Sequence, residues 1–339
     1  MARTLEDVAK VSGVSRATVS RVINGGPVSE ETRRKVIEAI EGTNYRPNLA
    51  ARGLVTGRTG VVGVVLHVDP WVLFQDPYFS NLLHGIADAL AEEQKGMMLW
   101  LGSRTKEETL DQILGMGLLD GVIVTADLFE DPLVDGLVAS TLPTVLVGHR
   151  RSDGDASYVD IDQAAAATMV VEHLVSLGRT RIGHVTGRRG TPAAEDRLTG
   201  YLDAMAAAGL PTDGLVVDGE YTEPSGEAAV ERLVAADVDA VFAANDASAR
   251  GVMAGLRRLG NVIPDDVALV GFDDLPFAAD LDPPLTTVRQ GVGFHGFEAA
   301  RLLKSLLDRP DDGSRRVLLP TELVVRGSTV PASGPTEES

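Results

Sequence analysis

From Val61 onward, short apolar runs alternate with helical stretches for about 270 residues, and few architectures accept that texture. The runs are Val61 to Leu66, Met97 to Leu101, Gly121 to Val124, Thr144 to Val147, Arg181 to Val185, Ala240 to Ala243 and Val267 to Gly271. Between them lie stretches such as Ser80 to Glu93 and Ala164 to Leu177 with helical periodicity. A strand, a crossover helix and a second strand return the chain in the same direction, so the alternation predicts βαβ units and parallel sheets. This is more chain than one sheet comfortably holds, so two similar doubly wound lobes are expected.

The first 60 residues read differently, with three short helical patterns between residues 4 and 42 and nothing that alternates like a strand. Thr4, followed three residues later by Asp7, is a capping pair that satisfies free amides at a helix start. Leu5, Val8, Ala9 and Ser12 then share a face, Gly13 allows a sharp corner, and Ser15 caps a second helix expected to run to Asn24. On that helix Val19, Val22 and Ile23 face inward, while Ala17, Ser20, Arg21 and Asn24 face outward with Arg16 in the exposed first turn. Ser29 caps a third helix with Glu30 and Glu31 in its first turn, and Val36, Ile37, Ile40 and Tyr45 are expected to complete a small core.

The outward face of the second helix offers guanidinium, hydroxyl and amide groups and no carboxylate, a set suited to phosphates and base edges in a major groove. The bland alternative is a small helical bundle with an ordinary solvated face. Charge separates the two. The chain carries −18 overall, which alone argues against nucleic acid, yet residues 1–58 hold ten Lys/Arg against six Asp/Glu. A basic head of +4 therefore precedes an acidic remainder of −22.

Other chemistry is thinly represented. There is no cysteine, which removes disulfides, thiolate nucleophiles and zinc-thiolate sites and fits a cytoplasmic setting. No window holds 18 consecutive apolar residues, and the first 25 positions carry charges, so neither a membrane span nor an export signal is expected. Walker loops, Gly-x-Ser-x-Gly elbows and His-Glu-x-x-His motifs are missing, and the six histidines (67, 84, 149, 173, 184 and 295) lack ligand spacing. His149 and His184 read as satisfied structural histidines, and the acid pairs 265–266, 273–274 and 311–312 as solvated turns. No catalytic residue, metal or cofactor is expected.

Several segments together carry a resemblance: residues 4–9 (TLEDVA), 13–15 (GVS), 18–24 (TVSRVIN) and 44–48 (NYRPN) resemble the head of the lactose/galactose-repressor family. The resemblance implies that Ser15, Arg16, Ala17 and Arg21 contact bases and that Thr4, Thr18, Ser20 and Asn24 hold phosphates. Residues 48–54 (NLAARGL) resemble the family's hinge helix, which implies that Leu54 wedges into the minor groove. An apolar wedge unstacks and kinks DNA at a cost offset by added contacts. So short a helix is unstable alone, so ordering only on DNA is expected; the alternative is a linker leucine packed on the core.

The resemblance continues to about Thr329 through residues 170–178, 197–201 (RLTGY), 243–246 (AAND), 270–274 (VGFDD), 284–288 and 325–326. It implies a periplasmic-binding-protein-like body, and a division into head 1–46, hinge and linker 47–60 and body 61–330, while the Pro, Ser, Gly and Glu of residues 331–339 predict a disordered tail. Within the body it implies one lobe of about 61–160 with 290–320, and another of about 161–289 with 321–330. By the same resemblance Arg197, Asn245 and Asp273 grip an effector, with Tyr221 and Phe79 as aromatic walls; Asp273 as a turn cap and the two rings as lobe packing are the alternatives. A donor fork, an acceptor and an amide suit a sugar. Gly148-His149 departs from the aspartate that relatives often carry there, which weighs against a lactose-like ligand, and the segment from His67 to Asp76 with Trp71 looks long enough to cover the cleft. The expected function is a sequence-specific regulator, most simply a repressor, bound as a homodimer to a palindromic operator and controlled by a carbohydrate effector. A transporter's solute-binding protein and a sugar-processing enzyme are the alternatives, and the basic head argues against the former.

Overall fold

A computed structural model describes residues 4–23, 26–45, 58–66, 68, 70–101, 105–125, 128–150 and 156–330. The chain forms two compact units, Met1–Gly60 and Val61–Ser339.

The first unit is built from α1 (Leu5–Ser12), α2 (Arg16–Ile23) and α3 (Glu30–Thr43). The capping box at Thr4 is present in both directions: the Asp7 amide donates to the Thr4 hydroxyl, and the Thr4 amide donates to the Asp7 carboxylate at 2.8 Å. Gly13 ends α1 at φ 68°, a left-handed conformation that glycine adopts without a Cβ clash. Val8, Val19, Val22, Val36 and Ala39 form the core, with Leu5, Ala9, Val14, Ile23, Val28, Ile40 and Tyr45 packed around it. Ile37, expected inside, is 45% exposed. Val36, Ala39 and Ile40 follow the i, i+3, i+4 stripe, and the residue next to Val36 must point elsewhere.

The second unit contains two six-stranded sheets. The first uses β1 (Val61–Leu66), β2 (Gly96–Leu101), β3 (Gly121–Thr125), β4 (Thr144–Val147), β5 (Ser157–Ile161) and β11 (Arg316–Leu319), in the order β11-β5-β4-β3-β1-β2. The second uses β6 (Ile182–Val185), β7 (Val216–Val217), β8 (Ala240–Ala243), β9 (Ala268–Asp273), β10 (Thr286–Arg289) and β12 (Glu322–Val324), in the order β12-β10-β9-β8-β6-β7. Every pairing is parallel except that of β10 with β12. The chain passes between the sheets three times: after Ile161, after Arg289 and between Leu319 and Glu322.

Helices cover both faces of each sheet, which is why the strands read as continuous apolar runs. On the first sheet Val62, Val64 and Leu66 turn toward α5 (Pro77–Glu92) and α12 (Val292–Asp308), while Val65 turns toward α6 (Lys106–Met116) and α7 (Pro132–Ala139). On the second sheet Ala240 and Phe242 face α8 (Gln163–Ser176) and α9 (Pro192–Ala207). Val241 and Ala243 face α10 (Glu223–Ala235) and α11 (Asp246–Arg258). This is the period-two alternation of a strand buried on both sides. Helices α5 and α12 meet backbone to backbone, because a Cβ added at Gly85 would lie 1.8 Å from the Gly293 carbonyl oxygen.

The segment before α5 is a short helix, α4 (Pro70–Gln75). The hinge residues 48–54 with Leu54, the positions of Asn24 and His67, and the tail 331–339 lie outside the described residues. No helix among the described residues is long and apolar enough to cross a membrane.

Candidate functional site

In the first unit, Arg16, Ala17 and Arg21 of α2 are exposed, with Thr18 and Ser20 partly so, and the helix carries no acid. The Ser15 hydroxyl accepts from the Thr18 amide at 3.2 Å and lies 2.9 Å from the Thr18 hydroxyl. Thr4 and Ser15 therefore both hold helix starts in place while remaining on the surface. The Arg33 guanidinium donates to the Gly26 carbonyl at 3.1 Å and so fixes the connection that follows α2. Arg33 is therefore a brace.

In the second unit, polar side chains gather where strands of both sheets end, the usual place for ligands in parallel α/β sheets. Arg197 on α9 is 4% exposed, and its guanidinium carbon stands 3.6 Å above the Phe272 ring centroid. Its Nε donates to the Gln163 side-chain oxygen at 2.9 Å, and Nη1 donates to the Ala244 carbonyl. Asn245 caps α11 through the Ser248 amide at 2.8 Å and donates to the Tyr221 carbonyl at 3.0 Å. The Tyr221 ring lies over Gly187, where an added Cβ would fall 2.0 Å from the ring, and its hydroxyl is 3.4 Å from that of Thr191. Phe79, near the start of α5, packs on the first sheet's core and meets Tyr78 edge-on at 5.3 Å.

Asp273, at the end of β9, is 5% exposed and accepts from the Gln290 side-chain amide. Burial pushes its carboxyl well above the usual carboxylate range, against the pull of Arg197. The neighbouring Asp274 is not a solvated turn acid: it pairs with Arg289 and Arg326, each at 2.6 Å. Asp246 lies beneath them and is raised to about 7 by burial. From the first sheet's half, Asp76 caps α5 through the Tyr78 amide at 2.9 Å, and its charge acts on both Asp273 and Arg250 of the other half.

His149, just beyond β4, links the two halves across the cleft. Its Nδ1 donates to Asp160 of β5 at 2.7 Å and its Nε2 to Asp196 of α9 at 3.0 Å. These two hydrogen bonds raise its pKa to about 10, outweighing burial, and keep the ring an imidazolium at neutral pH. Asp160 also accepts from Gln163 at 2.9 Å, so Asp196, His149, Asp160, Gln163 and Arg197 form one chain of contacts between the sheets. Asp160 is buried, which opposes its charge, yet the His149 hydrogen bond holds it below the usual carboxylate range. The histidine that follows Gly148, the position of the expected aspartate, thus engages acceptors from both halves.

Two further histidines are buried and held neutral, their pKa values lowered to about 4 by burial. His184 stacks between Tyr201 and Phe242 and lies 2.9 Å from the Phe242 carbonyl, but its buried Nε2 has no hydrogen-bond partner among the described residues, so it is not fully satisfied. His295 on α12 is 2% exposed with an unpartnered Nε2, within electrostatic reach of Asp160 and Arg197. Sequence reading missed Asp76, Asp160, Gln163, Asp196, Gln290 and His295, because nothing local marks residues that meet only through the sheets. A separate hollow of about 400 Å³ lies at the opposite end of the first sheet, between the last turns of α5 and α12. Its lining charges Lys304, Asp308 and Glu93 already pair with one another. The described residues hold no cluster of three or more His, Asp or Glu suited to a metal ion.

The His149 bridge predicts a pH signature. A base whose folded pKa lies above its unfolded value near 6.5 contributes stability that is complete below about pH 6.5 and is lost as pH rises through about 10. Denaturant midpoints measured from neutral to about pH 10.5 should therefore fall more steeply for the parent chain than for His149→Gln. Parallel curves would show that the bridge carries no net stability.

Comparison with known proteins bears on both sites. A family model described as bacterial regulatory proteins, lacI family, matches residues 4–48, and one described as a periplasmic binding protein-like domain matches residues 171–329. The HTH-type transcriptional regulator CelR of Thermobifida fusca is 39% identical over 332 residues, covering 96% of this chain and 98% of CelR. The chain belongs to the LacI family. It is therefore a transcriptional regulator and not an enzyme. The solved structure described as a transcriptional regulator CelR-cellobiose complex matches with TM-score 0.76 at 37% identity, over 96% of this chain and 99% of that one. A lac repressor dimer bound to operator and the anti-inducer ONPF matches with TM-score 0.85 at 26% identity, over 97% and 99%. The expected family and the head-plus-two-sheet fold are both borne out.

Proposed function

We propose that this regulator is a repressor that binds a near-palindromic operator as a homodimer and releases or tightens its grip when a sugar enters the cleft. The observation that carries this reading is the pairing of two features in one chain. One is an acid-free, exposed face on α2. The other is a cleft of buried donors and acceptors contributed by both sheets. A single head spans only a half-site, so a dimer supplies the second reading helix, and Ser15, Arg16, Ala17 and Arg21 read bases while Thr4, Thr18, Ser20 and Asn24 position phosphates. Leu54 wedges the operator centre once the hinge orders.

The body, residues 61–330, acts as two lobes, 61–160 with 290–320 and 161–289 with 321–330. A ligand changes operator affinity only through unequal affinity for two lobe arrangements. Arg197, Asn245 and Asp273 grip its hydroxyls between Phe79 and Tyr221. The solved CelR complex contains cellobiose, which makes glucose disaccharides the first sugars to test. The protein works in the cytoplasm, nucleoid-bound when on its operator, and needs no cofactor.

Footprinting on the chain's own promoter region, with and without a sugar panel, tests the reading. The expected result is a protected near-palindrome whose occupancy one sugar alters. Equal affinity for that region and for random duplex, under every sugar, would reject it.

A further inference from the structure

The groups assigned above to gripping a sugar stand unevenly about the cleft. Arg197 on α9, Asn245 at the start of α11, Asp273 at the end of β9 and Tyr221 between β7 and α10 all belong to the second sheet's half. The first half supplies only the Phe79 ring. A ligand whose polar contacts all lie in one half has little purchase on how the halves are arranged.

Two buried polar side chains of the first half have no hydrogen-bond partner among the described residues: His295, through Nε2, and Thr125, through its hydroxyl oxygen. They are 2% and 6% exposed. A buried donor or acceptor left unsatisfied costs free energy, so each calls for a partner that the chain itself does not supply. The other two such groups, on His184 and Ser248, belong to the second half. Thr125 ends β3 and lies beside Val147, just before Gly148 and His149. Side chains alternate along a strand, so Thr125 shares with Ile123 the face that α12 covers. His295 is in the first turn of α12, on the stripe with Val292 and Ala299 of that same core. The charges that act on its ring are Asp160, near the end of β5, and Arg197 of the other half, the pair that Gln163 ties together. The ring therefore stands where the two halves meet, and Gln290, just before α12, reaches Asp273 from the same corner. Burial lowers the His295 pKa to about 4, so its Nε2 offers a hydrogen bond and not a charge.

Resting on the sugar-effector reading above, we propose that His295 Nε2 and the Thr125 hydroxyl are the first half's hydrogen bonds to the effector, completing from the other side the grip of Arg197, Asn245 and Asp273. A sugar hydroxyl both donates and accepts, so it satisfies either group whichever role that group takes. Binding then favours the one arrangement in which both sets of groups reach the same ligand, which is the unequal affinity that an effector needs. Two polar groups left unpaired in the fold are a loss of stability accepted for function.

Glucose, galactose, ribose, cellobiose, maltose and lactose serve as probes in calorimetry with the full-length protein, and the sugar that the parent binds best is carried forward with its monodeoxy analogues. His295→Leu and Thr125→Val remove the unpaired groups and keep apolar bulk, so both variants should unfold at or above the parent's thermal midpoint. Each should weaken binding of that sugar by about tenfold, and His295→Gln, which retains a donor, should recover part of the loss. At least one monodeoxy analogue should bind the parent about tenfold more weakly than the full sugar, yet bind His295→Leu as well as the full sugar does. Sugar affinity unchanged in both variants would overturn the assignment while leaving a sugar effector in place. So would a lowered midpoint in His295→Leu with no analogue showing that coupling, because the histidine would then be structural. Failure of the parent to bind any sugar of the panel would overturn the sugar reading itself and the assignment with it.

Discussion

Arg21→Ala is expected to weaken operator binding by about 1–3 kcal/mol per half-site, thus roughly thirtyfold or more for a dimer, and to relax base preference at one position of each half-site. Arg21 is exposed on α2, a helix that carries no acid. Arg34→Ala, which removes an exposed cation of α3, should cost far less and lower the salt slope by about one unit per phosphate contact. Arg33 is a poor control, because its bond to the Gly26 carbonyl fixes the connection after the reading helix. Gel-shift titrations at two salt concentrations check this. Equal losses at Arg21 and Arg34 would mean that α2 does not read the groove.

Arg197→Met should abolish the effector response and also destabilise the second unit by about 2–5 kcal/mol. The substitution strips donors from the Ala244 carbonyl and the Gln163 side chain and removes the cation nearest to Asp273. Methionine keeps the apolar contact with Phe272, which limits the cavity formed. Operator affinity without effector, measured at a temperature where the variant is folded, should stay within about threefold of the parent, because Arg197 lies outside the compact unit that carries α2. An effector response that survives the substitution would remove Arg197 from the ligand site. A thermal midpoint equal to the parent's would show instead that the buried guanidinium contributes no stability.

Much of the fold is legible in the sequence, because strands covered on both faces leave long apolar runs and the head's helices carry explicit caps. The segments left unread share a cause. In β5, serine, tyrosine and aspartate interrupt the apolar signal, since its end supplies Asp160 to the cleft. β7 has two residues, and β11 and β12 are short outer strands whose partners lie far away in sequence. Ile37 shows the limit of counting apolar residues without phase: it sits one position from Val36 and so turns outward. The candidate site divides in the same way. Arg197, Asn245 and Asp273 stand in segments that resemble known regulators, whereas His149, Asp160 and Asp196 become partners only when 47 positions of chain are folded into two sheets. That Gly148 replaces the common aspartate and is followed by His149 is visible in sequence; that two carboxylates clasp the histidine is not.

The threefold passage of the chain between its sheets also shapes its synthesis. The edge of β5 is completed by β11, about 155 residues further along, so the first sheet stays unfinished until most of the second has been made. At bacterial elongation rates that strand edge waits on the order of ten to thirty seconds with its backbone amides and carbonyls unpaired. A nonsense codon anywhere between α8 and α12 would strand it permanently, which makes truncated products of this gene natural clients for chaperones and proteases.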